Sequence, residues 1–248
     1  MKRNFLAITL LMISTFELLA ENKPGFVRTD GKAVIVRAKA SEASESLFTF
    51  NDGDFFYCEP ATDSLWMKIS IFPREYATTE GYIPRINVRL IEALIPAQKK
   101  ELITKILTTH QSLAEEFRRS VHETPEKHKV AREKLEYHNN VKYMYALDIT
   151  PSYLHSTGDG SILKLLFGTV YADRGSAGEF PGIVLARCLV DKPELTMSLI
   201  EEIADKEERV HIIRKMEFGL LNYYDQQKGD LEQQRNSLQE KLQKLIAE

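Results

Sequence analysis

GYIPRINVRL, residues 81 to 90, is the stretch whose reading decides the fold. Taken alone, Gly81-Tyr82-Ile83 is an ambiguous strand start followed by alternating apolar residues. It is either an exposed edge strand or the closing segment of a small barrel, and the residues upstream bear on the choice. Ala33 to Arg37, AVIVR, is a strand candidate rich in β-branched residues. A polar loop, Ser41 to Ser46, separates it from Leu47-Phe48-Thr49-Phe50. Asn51-Asp52-Gly53-Asp54 is a turn signal ahead of Phe55-Phe56-Tyr57-Cys58. Leu65-Trp66-Met67-Lys68-Ile69 carries the only tryptophan, and Phe72 to Glu80 reads as a loop. Short strands at this spacing, with turn signals between them, predict a small barrel over residues 26 to 92.

In that order the residues resemble the bacterial SH3-like (SH3b) family. The resemblance runs through Val36-Arg37, the loop at Ser41 to Ser46, Leu47 to Phe50, Gly53, Phe55 to Tyr57, the Trp66 strand, and Gly81-Tyr82-Ile83 with Leu90. Two features depart from the family. Ala38-Lys39-Ala40 stands where Gly-Pro is usual after the arginine, and the loop FPREYATTE is longer than typical. The resemblance implies a binding module for cell-wall peptides or protein partners, with no particular ligand. The physical candidates for its groove are Tyr57, Trp66, Tyr76 and Tyr82, because aromatic side chains give a large contact area with a polar tip. The competing reading puts Trp66 in the core and packs Tyr82 on the barrel end.

Near Pro96 the hydrophobic period changes. Leu102, Ile103, Ile106, Leu107, His110, Leu113 and Phe117 recur at three and four residues, which predicts a helix. Thr124-Pro125-Glu126 reads as an N-cap with proline at the first helical position, opening a second helix toward Leu147. Pro151 and the Gly158-Asp159-Gly160 turn are expected to break it. A third helix is predicted over Ser161 to Ala172, and a buried one over Ile183 to Val190. Asp191 with Glu194 and Asp205 with Glu208 have the spacing of capping boxes, opening helices over Pro193 to Ala204 and Lys206 to Tyr223. Asp230 to Glu248 forms a terminal helix in which Leu231, Leu238 and Leu245 repeat at seven; it either packs on its own domain or joins a coiled coil. The expected class is therefore α+β and multidomain: an SH3-like β-barrel, then an all-α domain over residues 96 to 248, built as an irregular bundle or a HEAT-like stack without a fixed repeat.

The chain has 248 residues, a formal charge of −3 and 28% charged residues. That balance supplies no basic field for nucleic acid. Lys2 and Arg3, the apolar run Phe5 to Phe16, and Leu18-Leu19-Ala20 lay out a secretory signal peptide over residues 1 to 20, too short to span a membrane comfortably. Its removal takes away Lys2, Arg3 and Glu17 and moves the formal charge to −4. A periplasmic or secreted protein with no stable membrane span is expected. Export permits a disulfide between Cys58 and Cys188, the only cysteines; the alternative is two buried free thiols.

No catalytic constellation stands out. The histidines at 110, 122, 128, 138, 155 and 211 form neither HExxH nor the His/Cys spacing of a zinc site, and His128 and His138, ten apart on one predicted helix, read best as surface residues. There is no Gly-x-Ser-x-Gly elbow, and Gly175-Ser176-Ala177-Gly178 lacks the Lys-Ser/Thr of a phosphate loop. No enzyme activity, cofactor or metal is expected. The loop DRGSAGEFPG crowds Asp173, Arg174 and Glu179 ahead of Phe180; it is either an interhelical connection with an internal salt bridge or a partner-recognition loop. The leading expectation is an exported binding protein contacting an envelope protein or a peptidoglycan peptide. An immunity protein that neutralises a toxin delivered to the periplasm, and a cell-wall enzyme or its regulator using scattered residues such as Glu115, Glu116, His138 or Asp148, are the alternatives.

Overall fold

In the computed structural model, residues 25–29, 33–51, 53–60, 65–71, 79–173, 178–225 and 231–247 are described. The chain divides into two compact units, Met1–Leu94 and Ile95–Glu248. The division falls in the short stretch between Glu92, where the barrel was expected to end, and Pro96, where the helical pattern begins.

The first unit is antiparallel β. Its strands are β1 (Gly25–Thr29), β2 (Ala33–Arg37), β3 (Ser46–Asn51), β4 (Phe55–Pro60), β5 (Trp66–Ile71), β6 (Thr79–Pro84) and β7 (Val88–Leu90). They join in the order β3-β2-β6-β5-β4-β1-β7. The middle is a meander, β4-β5-β6, flanked by the β2–β3 hairpin on one side and by β1 with β7 on the other. A closed barrel is not formed among the described strands: β3 pairs with β2 alone, and the three-residue β7 pairs with β1 alone.

Local chemistry fixes the turns. Gly53 adopts φ +80°, a left-handed conformation that glycine takes without strain. The Asp54 carboxylate accepts from the Asn51 N–H at 2.7 Å, and buried Thr29 donates to the Asn51 carbonyl at 2.7 Å and to the Asp54 carbonyl through its N–H at 3.0 Å. In β2 burial alternates, with Val34 and Val36 inside. In β4 and β5 it does not: Phe55 and Phe56, and Trp66 and Met67, are buried as neighbours, so both faces of these strands are covered there. Phe50 stacks on Phe56 with ring centroids 4.8 Å apart.

The second unit is helical: α1 (Pro96–Ser120), α2 (Pro125–His138), a π turn (Asn139–Tyr143), α3 (Met144–Thr157), α4 (Gly160–Ala172), α5 (Phe180–Asp191), α6 (Pro193–Glu201), α7 (Lys206–Asp225) and α8 (Leu231–Ala247). Leu102, Ile103, Ile106, Leu107, His110 and Ala114 form the buried stripe of α1, which packs on α2 and α4. Thr124 caps α2, its hydroxyl accepting from the Lys127 N–H at 3.4 Å. Asp205 caps α7, accepting from the Glu208 N–H at 2.9 Å.

Two expectations are corrected. Pro151 does not end a helix; it lies buried inside α3, and the preceding Thr150 hydroxyl donates to the Ala146 carbonyl at 2.7 Å. The helix stops instead at Gly158, whose φ of +65° closes it with a bond to the Leu154 carbonyl at 2.8 Å. Asp191 caps nothing: it is the last residue of α5, its side chain meets His155 Nδ1 at 2.7 Å, and α6 starts after Lys192 without a side-chain cap. Of the two readings of the terminal helix, packing on its own domain holds: α8 buries Leu238, Leu242 and Leu245 and packs on α6 and α7 of its own unit.

Candidate functional site

The opening stretch is held by its glycine. A Cβ on Gly81 would lie 2.4 Å from Val36 Cγ1 and 3.3 Å from the Arg37 carbonyl oxygen. Only a residue without a side chain lets β6 meet β2 here, where Tyr82 opposes Arg37 and the β2–β3 ladder shifts register between Val36 and Arg37. Arg37 then donates to the Ser44 carbonyl at 2.9 Å and ties down the polar loop. After β6 the chain makes a single 3₁₀ turn, Arg85–Asn87, before β7.

That turn carries the most exposed large apolar residue described. Ile86 is 87% exposed, Leu65 is 71% exposed, and the Arg85 N–H bonds to the Leu65 carbonyl at 2.9 Å. Two exposed aliphatic residues, Leu65 and Ile86, therefore flank this backbone link at one end of the meander. Of the aromatic groove candidates, Trp66 is buried in the core, Tyr82 is half-buried on β6 opposite Lys68, and Tyr57 lies in β4 opposite Ser70. Tyr76 lies outside the described residues. Sequence reasoning looked for aromatic rings and passed over Leu65 and Ile86, whose flanking of the β4–β5 and β6–β7 turns was the available signal.

The partner-loop candidates separate. Asp173 is the C-cap of α4, its N–H bonded to the Thr169 carbonyl at 3.0 Å, and its carboxylate reaches a buried histidine, His110, with Oδ2 at 3.3 Å from Nε2. Glu179 is exposed just ahead of α5, and Phe180 is the half-buried first residue of that helix. Arg174 lies outside the described residues, and with it the internal salt bridge expected for this loop.

His110 belongs to a cluster that the sequence reading missed. His110 is 1% exposed, His138 6% and Tyr143 1%, which corrects the expectation of a surface histidine at His138. His110 and Tyr143 stack nearly parallel, centroids 3.5 Å apart at 9°, and His138 lies 5.5 Å from His110 at 31°. The π turn makes this possible. In an α-helix, residues five apart point about 140° away from one another. The wider turn between His138 and Tyr143 brings both rings onto His110. The ring nitrogens of His138 and the Tyr143 hydroxyl have no hydrogen-bond partner, and the His110–Asp173 contact is within ion-pair range but not aligned as a hydrogen bond. Each such buried polar atom destabilises the closed fold by about 1–3 kcal/mol. Burial, with His110 and Lys142 nearby, pushes the His138 imidazole down to about 3. Burial, then Asp173, holds the Tyr143 phenol well above its ordinary value.

Elsewhere the chemistry is quiet. Cys188 is a free, fully buried thiol that burial pushes up to about 12, a small hydrophobe and not a nucleophile; the side chain of Cys58, its candidate disulfide partner, lies outside the described residues. His128 is half-buried, stacked on Phe117 and 2.9 Å from the Ser120 hydroxyl. Among the described residues no group of three or more His, Cys, Asp and Glu is arranged to hold a metal ion, and no helix is long and apolar enough to cross a membrane. No protein-family model, no curated protein and no solved structure matches the chain.

Proposed function

We propose that the chain is an exported, non-enzymatic binding protein whose β unit is an SH3-like module that docks a peptide or protein of the cell envelope. The observation that carries this reading is the approach of Gly81 to Val36 and Arg37. These are the first and last elements of the resemblance, and they meet at a contact that excludes any side chain on residue 81. The elements between follow in the expected order, the β2–β3 loop, the Gly53 turn, β4 and the Trp66 strand, and the Leu90 end of β7 comes after them. The docking surface is the Leu65–Ile86 pair with Tyr82, since exposed aliphatic residues grouped on a small domain mark interaction sites. The helical unit serves as a second contact surface or as support. In-envelope crosslinking followed by partner identification, with sedimentation of the purified protein on peptidoglycan sacculi, tests this. Retention on sacculi or on one envelope protein is expected; retention on neither contradicts the reading.

A further inference from the structure

His110, His138, Tyr143 and Asp173 reach one buried place from the middle of α1, the end of α2, the end of the π turn and the residue after α4. The set closes α2 and the π turn over α1. It can do so only while His138 is neutral, because an imidazolium there would be enclosed beside a second imidazole with no acceptor for either ring proton. The surrounding charges offer it none. On α1, Arg118 donates to the Ala172 carbonyl at 3.2 Å, one residue from Asp173. Lys142, in the π turn, opposes a second positive charge, and Asp173 reaches His110 instead. On α3, Asp148 is committed to Arg187 of α5 at 3.1 Å. The acid on the outer face, Glu116 of α1, is held by Lys134 of α2 at 2.9 Å.

The geometry points to an acid-operated latch: the His110–His138–Tyr143 stack, with His138 neutral, holds α2 and the π turn on α1, and a proton on His138 releases them. Release uncovers an apolar cluster made by Leu113, Ala114 and Phe117 of α1, Leu135 of α2 and Ala172 of α4. Acid therefore turns a closed helical hairpin into an exposed apolar face, whatever the β unit binds. The sign follows from the depressed imidazole. The closed state holds its full advantage above the ordinary histidine value of 6.5, loses it as pH falls, and levels off near 3.

Amide hydrogen exchange on the full chain at pH 7 and pH 5, expressed as protection factors, tests the latch. Amides of α2 and the π turn are expected to lose about 25-fold in protection over that interval, while those of α5 and α7 stay level. His138→Phe, which fills the ring position without titrating, is expected to abolish the difference. Should that variant not fold, His138→Gln takes its place alongside a carbon-detected titration of the wild-type imidazoles. Unchanged α2 protection in the wild type, a loss that persists in either variant, or a His138 imidazole titrating near 6.5 in the native chain would overturn the inference.

Discussion

Two glycines, one in a strand and one in a helix, stand in opposite surroundings. Gly81 has Val36 Cγ1 at 2.4 Å from its virtual Cβ, whereas the closest atom to that of Gly168 is the Gln111 side-chain nitrogen at 3.8 Å. Gly81→Ala is expected to destabilise the β unit by about 1–3 kcal/mol through overpacking against β2. Gly168→Ala, in the interior of α4, is expected to stabilise the helical unit by about 0.5–1 kcal/mol. Urea unfolding of the two variants beside the wild type checks both signs. The sequence made Gly81 legible because it sat in an ordered set with Val36-Arg37. It concealed the His110 cluster for a geometric reason. His110 shares the apolar stripe of α1, but His138 and Tyr143 are five apart, and no helical period places such a pair on one face; the π turn that does so leaves no mark in the hydrophobic pattern.

At the scale of elements, the caps separate into those that form and one that does not. Asp205 has a free N–H to accept from, while Asp191 is drawn to His155 across two helices, so identical spacing gives different outcomes. Asp159 heads α4 more firmly than the turn signal alone suggested. It accepts from Ser161 N–H at 3.1 Å and the Ser161 hydroxyl at 2.6 Å, from Tyr153 at 3.1 Å, and from Lys100 of α1 at 2.7 Å. Lys100 first, and Ser161 next, hold its carboxyl down to about 2. Its contribution is full above the ordinary aspartate value and is lost as pH falls toward 2. Asp159→Ala is expected to cost about 1 kcal/mol at pH 7 and to flatten stability between pH 4 and 2, read by thermal melts across that range. The α5–α7 pair is tighter still. A Cβ on Gly219 would fall 2.0 Å from the Gly182 carbonyl oxygen. Gly219→Ala must push the two helices apart, at about 3 kcal/mol, and circular dichroism melts of the helical signal would register it.

At the scale of the molecule, the change of hydrophobic period near Pro96 marked the division that the fold shows between Leu94 and Ile95. Residues 95–248 carry their own core, from Ile103 on α1 to Leu242 on α8. Expressed alone, they are expected to give the cooperative melt and helical spectrum of a folded domain; a non-cooperative melt would contradict two self-contained units. The sequence also left part of the surface unread. Alternation and turn chemistry predict which residues go inside, but Leu65 and Ile86 are bare because they sit on connections, and periodicity says nothing about connections. The central claim, that this end of the β unit docks an envelope ligand, is tested most directly by measuring retention of the protein on peptidoglycan sacculi and on crosslinked envelope protein, with Leu65→Asp/Ile86→Asp beside the wild type. We predict that the wild type is retained and that the double variant, with an unchanged melt, is retained at least about tenfold less, a loss of about 1.4 kcal/mol in binding. Equal retention of the two proteins would contradict it.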